Sequence, residues 1–192
     1  IGLAFLIPLI YFTLKVKFKK LINFYFIFAL ICFQGFIGWY MVSSGLIDRV
    51  DVSHFRLSVH LLIAFLILSL IFWNYLKTKI KNNFQNTINI IFPLSFLFLV
   101  FLQISIGAFV SGMDAGKIYN SWPLMGNSIF PNDNSVVNLF KLSAFSDPSL
   151  VQFIHRKLAY LIGLFYMYLL FYIYMNKKTD LYKSVNVLGI FI

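Results

Sequence analysis

His60 and His155 are the side chains in this sequence best suited to chemistry. Each stands in a long apolar stretch, where an ionisable group is costly and by default marks a functional site. At about 1.5 Å per helical residue, His155 lies roughly 9 Å in from Ser149. That is below the headgroups and short of the midplane. His60, counted from Ser53, falls at nearly the same depth. Arg56 precedes His60 by four residues, on the same helical face and one turn nearer the outer surface. A neutral imidazole can supply the axial bond to a heme iron, and a guanidinium one turn outward can pair with a propionate carboxylate. Gln152 shares the face of His155, whereas Arg156 and Lys157 point elsewhere, either snorkelling outward or meeting propionates from a neighbouring groove. His54, about 240° round the helix from His60, is assigned an interfacial, non-ligand role. For a lone intramembrane histidine the plainer alternative is an interhelical hydrogen bond. Read from the residues alone, the simplest site is one b-type heme held between His60 and His155.

Six apolar segments must position these groups: Ile1 to about Leu14, Leu21 to Ser44, Ser53 to Leu76, Ile88 to Ser111, Ser149 to Met175, and Val185 onward. Residues are 60% apolar and only 11% charged, against about 25% charged in a soluble domain, so the expected fold is an all-α, polytopic membrane helical bundle. The first and last segments are cut by the chain ends, which suggests a piece of a longer protein. Lys15, Lys17, Lys19 and Lys20 fill the first loop, Lys77, Lys79 and Lys81 the third, and Lys177, Lys178 and Lys183 the fifth. Five of the six acidic residues, Asp48, Asp51, Asp114, Asp133 and Asp147, fall in the second and fourth, and there is no Glu. Positive-inside bias therefore places the odd loops in the cytoplasm or matrix. It also accounts for the net charge of +10 without nucleic acid. Cys32 is alone and supports neither a disulfide nor a Cys-x-x-Cys site.

The fourth loop, from Gly112 to Pro148, is too long for an ordinary structureless connection. It reads either as an interfacial aromatic anchor with coil or as a lid over a site at the outer helix ends. A short repeat, Q-x-x-I-G, occurs at Gln34–Gly38 and again at Gln103–Gly107. Its small residues permit close helix approach, but packing does not explain the repeated Gln. A transporter would be expected to show broken helices and a polar midplane site, and a proton pump buried carboxylates. The only mid-segment prolines are Pro8 and Pro93, and no acidic residue lies in any span.

Four stretches, CFQGFIGWYMVSSGL (Cys32 to Leu46), FRLSVH (Phe55 to His60), GAFVSGMDAGKIYNSWPLMG (Gly107 to Gly126) and VQFIHRKL (Val151 to Leu158), resemble the heme A synthases, most closely the mitochondrial and alphaproteobacterial form. The resemblance implies eight spanning helices in two pseudo-symmetric four-helix bundles, with this chain running from late in the second helix to early in the seventh. Residues 1–111 would then hold the N-terminal bundle and the start of the C-terminal half, 112–148 the outer loop, and 149–192 the C-terminal bundle. It implies conversion of heme O to heme A by successive hydroxylation of a porphyrin methyl, for cytochrome c oxidase assembly. His155 becomes an iron ligand of a heme b cofactor, with Gln152, Arg156, Tyr119, Asn120 and Trp122 on the cofactor side. His60, with Arg56, becomes a ligand on the heme O substrate side. The His60–His155 pairing is then abandoned, because each histidine serves a different heme. The family's partner histidines and its glutamate fall outside these residues, which leaves the catalytic residue unknown. Expected partners are membrane lipid, heme O synthase, cytochrome oxidase assembly factors and another copy of the protein. The expected location is the bacterial, or mitochondrial, inner membrane. The alternatives are a bis-histidine cytochrome that transfers electrons and a structural or assembly subunit without heme.

Overall fold

The computed structural model describes residues 1–45, 52–79 and 88–191. Asp48, Asp51 and Lys81, which entered the loop-charge reading, lie outside the described residues. The elements are α1 (Gly2–Thr13), α2 (Phe18–Gly45), α3 (His54–Lys79), α4 (Ile91–Gly112), α5 (Pro148–Met175) and α6 (Thr179–Leu188), joined in part by short 3-10 turns. Among the described residues, four helices are long and apolar enough to cross a membrane, at 26, 26, 22 and 28 residues. The chain is thus an all-α, polytopic membrane helical bundle. Its contacts divide it into two compact units, Ile1–Lys81 and Asn82–Ile192.

In the first unit α1 packs on α2, and α2 on α3. Leu9, Leu21 and Ile27 are buried, and the Phe5 and Phe28 rings stack at 6.4 Å. Pro8 sits inside α1, where its missing N–H removes one helical hydrogen bond. One turn beyond it, the Thr13 hydroxyl meets the Leu9 carbonyl oxygen at 2.7 Å and the Tyr25 hydroxyl at 2.6 Å, tying α1 to α2.

In the second unit α4 lies against α5 through two apolar clusters. Phe96, Ile162 and Leu169 form the inner one, and Ile106, Phe109 and Val151 the outer. Lipid tails are as apolar as these side chains, so close packing rather than escape from water holds the pair together. Asp147 starts α5 by accepting the Leu150 N–H at 3.0 Å, with Pro148 in the first turn where no amide hydrogen is needed.

One feature departs from the sequence reading. α6 begins at Thr179, ahead of the expected Val185, so Lys183 is helical and not part of the fifth loop. Lys177 takes a left-handed conformation, φ 50°, which reverses the chain after α5. α6 then folds back onto α5, with Tyr182 stacked on Tyr174 at 4.3 Å and the Tyr166 hydroxyl donating to the Val185 carbonyl at 3.2 Å. These aromatic and polar contacts recruit a turn of helix that its own polarity had hidden. The long fourth loop, for its part, is ordered. It folds through 3-10 turns at Ala115–Lys117, Val136–Phe140 and Leu142–Ser146, with one bridge between Met125 and Ser128. Its Met125 and Pro131 are fully buried. Gly126, at φ 75°, turns where a Cβ would strike the Asn132 amide at 2.7 Å.

Candidate functional site

Each intramembrane histidine rests against a glycine of the neighbouring helix. A Cβ built on Gly38 of α2 would lie 3.1 Å from Cε1 of His60 on α3, and one built on Gly107 of α4 would lie 3.2 Å from Cε1 of His155 on α5. Both distances are tighter than ordinary packing, so any larger residue would displace the ring. One helical turn before each glycine is a glutamine facing the same histidine. The Gln34 amide donates to the main-chain oxygen of His60 at 2.9 Å. The Gln103 amide nitrogen stands 3.2 Å from Nε2 of His155. Gln and Gly four residues apart share one helical face, which is how the Q-x-x-I-G repeat builds both seats.

The chemistry of the seats follows from what they leave unpaired. Nδ1 of His60, Nδ1 of His155, and Oε1 of both glutamines are buried without a hydrogen-bond partner. Such groups cost about 1–3 kcal/mol each and call for an explanation in a native structure. A bound group that draws on these histidines would supply one. Among the described residues, no group of three or more His, Cys, Asp or Glu side chains could hold a bare ion. A single imidazole per seat fits a metal that brings its own equatorial ligands, as heme iron does.

The remaining site residues anticipated from sequence are placed as follows. The Arg56 guanidinium lies over the Tyr40 ring, 4.9 Å from its centre. Gln152 is buried; it accepts the Tyr119 N–H at 3.2 Å and donates to the carbonyl oxygens of Tyr119 (2.9 Å) and Gly116 (3.4 Å). Arg156 donates to the carbonyl oxygens of Tyr119 (2.7 Å), Ser121 (2.9 Å) and Leu124 (3.4 Å). The two side chains fasten the start of the loop to the outer part of α5. Tyr119 is further fixed by its hydroxyl, which donates to Asp133 at 2.7 Å. That bond, reinforced by burial and the carboxylate charge, raises the phenol's pKa. Asn120 and Trp122 are exposed at the loop surface. Lys157 lies over the Phe153 and Tyr160 rings at 5.1 and 5.4 Å.

The far end of the loop is held at Asp147. Its carboxylate accepts from Asn134 (2.9 Å), Ser149 (2.7 Å) and the Leu150 N–H. Burial pushes this carboxyl's pKa up, but the hydrogen bonds outweigh it and leave the pKa below the ordinary value. A folded-state pKa below the unfolded one stabilises the fold at neutral pH, and the contribution fades as pH falls through the folded value. An open apolar groove of about 510 Å³ lies between α4, α5 and the loop, lined by Leu102, Ile106, Phe145, Phe153, Lys157 and Leu158 among others. The His155 ring is not one of its walls, so it is separate from the seat.

Gln34, Gly38, Gln103 and Gly107 were not among the site residues chosen from sequence. Their repeat was visible, but nothing in it named the histidine each pair would meet.

These features describe a multi-pass membrane protein in which two compact units each carry one intramembrane histidine met by a Gln–Gly pair. The chain belongs to the COX15-CtaA family of cytochrome oxidase assembly proteins, which it matches over residues 1–192. Among curated relatives, it is 52% identical to the heme A synthase of Pelagibacter ubique over 184 residues, covering 94% of this chain and 54% of that protein. It is 38% identical to the heme A synthase of Rickettsia bellii strain RML369-C, covering 98% and 58%, and 40% identical to that of Rickettsia felis, covering 81% and 48%. The chain thus spans about half the length of the curated relatives it matches. No solved structure matches it. With four spanning helices and bacterial relatives of this kind, the protein is a multi-pass inner-membrane protein.

Proposed function

We propose that this chain is part of a heme A synthase, in which His155 ligates a resident heme b and His60 ligates heme O as substrate. The observation that carries the reading is the duplicated seat. The same Gln–Gly spacing meets one half-buried histidine with an unpaired Nδ1 in each unit, in a chain 52% identical to a heme A synthase. In this reading α1 to α6 are the second to seventh of eight helices in two pseudo-symmetric four-helix bundles. Residues 1–111 carry the N-terminal bundle and the start of the second, 112–148 the outer loop, and 149–192 the C-terminal bundle. The partner histidines and the acidic residue come from parts of the protein beyond this chain.

Bound heme iron supplies the redox chemistry that takes the heme O methyl to a formyl group; the protein supplies ligation, orientation and a shell against side reactions. Gly38 and Gly107 let the imidazoles approach closely. Arg56, one turn outward of His60, pairs with a propionate on the substrate side. On the cofactor side, Gln152 and Arg156 hold Tyr119 at the outer part of α5, with Asn120 and Trp122 following it towards the heme edge. Heme O synthase and oxidase assembly factors are the partners this chemistry calls for, with a second copy of the protein a further one.

The test uses the intact protein co-expressed with a source of heme O, followed by extraction and chromatography of total heme. Heme A is the expected product, and His155→Ala abolishes both bound heme B and heme A. Extracts containing only heme B and heme O would favour an electron-transferring cytochrome. A colourless protein without Soret absorbance would favour a structural subunit and overturn the proposal.

A further inference from the structure

The groove between α4, α5 and the outer loop carries a charge where its other walls are apolar. Leu102, Ile106, Phe145, Leu158 and Leu161 are among those walls, and Lys157 is the one polar residue that lines it. Its volume, about 510 Å³, falls within the roughly 300–1,000 Å³ of small-ligand sites. Lys157 lies roughly 14 Å along α5 from Pro148, at about 1.5 Å per residue. Helical side chains lean towards the N-terminus, which on α5 is the loop end. The ammonium stands over Phe153, one turn outward, at 5.1 Å and over Tyr160 at 5.4 Å. Phe130 of the loop meets the Phe153 ring edge to face at 5.0 Å, holding that support in place. Among the described residues, no carboxylate comes within ion-pair distance of Lys157. A cation at this depth is costly without a partner.

The loop adds a second observation. Val137, Phe140 and Leu142 are 69%, 84% and 89% exposed, beside the groove walls Leu139 and Phe145 in the sequence. Apolar side chains so bare, just ahead of a spanning helix, suit contact with lipid better than with water. We propose that the groove binds an anionic phospholipid of the outer leaflet, with its phosphate on the Lys157 ammonium and one acyl chain along Leu102, Leu158 and Leu161. Charge complementarity chooses this occupant. A neutral quinone or an apolar helix would leave the ammonium unpaired, and free phosphate would leave the apolar walls uncovered. The site is separate from the His155 seat and does not depend on the heme reading.

The test strips lipid from the intact protein in a neutral detergent, adds equal amounts of phosphatidylglycerol and phosphatidylcholine, and counts retained lipid by native mass spectrometry. Unmodified protein should keep phosphatidylglycerol by preference. Lys157→Gln should lower that preference roughly fivefold, the weight of one lysine near a lipid surface, and Lys157→Arg should keep it. Lys117→Gln, at an exposed loop lysine outside the groove, should leave it unchanged. Leu161→Trp, at an exposed wall residue, should reduce retention of both lipids. Equal retention of the two lipids by unmodified protein, an unchanged preference in Lys157→Gln, or undiminished retention in Leu161→Trp would each overturn the proposal. So would a quinone retained in place of phospholipid, or lipid-free protein in which a second copy or another segment covers the groove.

Discussion

Gly107 shows how a residue without a side chain can decide a site. A methyl group there would approach Cε1 of His155 to 3.2 Å, and the same change at Gly38 would approach His60 to 3.1 Å. Backbone on one side and a ring on the other leave only the imidazole to give way, by a few tenths of an ångström. Gly107→Ala should therefore weaken heme b retention by roughly the 10–100-fold seen when a ligand's support is disturbed, read as Soret absorbance per protein. Gly35 and Gly163 meet nothing within 4 Å. Alanine at either should leave heme loading intact and favour the helix by up to about 1 kcal/mol. At this scale the sequence was partly legible. His60 and His155 stood out because ionisable groups are rare in apolar segments. Gln103 and Gly107 did not, because glycine in a spanning helix is ordinary and the identity of its neighbour depends on the rotation of α4 against α5.

At the scale of elements, the four long helices could be read from hydropathy alone, with ends displaced by only a few residues. The start of α6 could not, because Tyr174 and Tyr166 supply the contacts that make Thr179–Leu188 helical. The loop after α4 was equally undecided, since turn-rich composition suits both coil and an ordered lid. What orders it is a set of backbone carbonyls finding donors on α5. Gln152→Leu tests that strap. It removes an acceptor from the Tyr119 N–H and donors from two carbonyl oxygens, at about 1–3 kcal/mol for each polar group left buried and unpaired. The variant should keep its helix content by circular dichroism but be cut faster by protease between Lys117 and Lys141. Equal cleavage rates would mean that Arg156 and the Asp147 network hold the loop without it.

For the whole molecule, duplication raises the question of whether the two seats depend on each other. His60 is seated by α2 and His155 by α4, each within its own unit. Gln34 likewise serves only the first and Gln103 only the second. Sites that share no partners usually combine additively, to within about 0.5 kcal/mol. His60→Ala should therefore leave the spectrum and release rate of the heme b held through His155 unchanged, while removing substrate binding. His155→Ala should remove heme b yet leave heme O binding through His60 measurable by difference spectroscopy, and the double variant should lose both. A change in heme b release in His60→Ala beyond twofold would show that the units communicate. The exchange of one heme would then be felt by the group that stays.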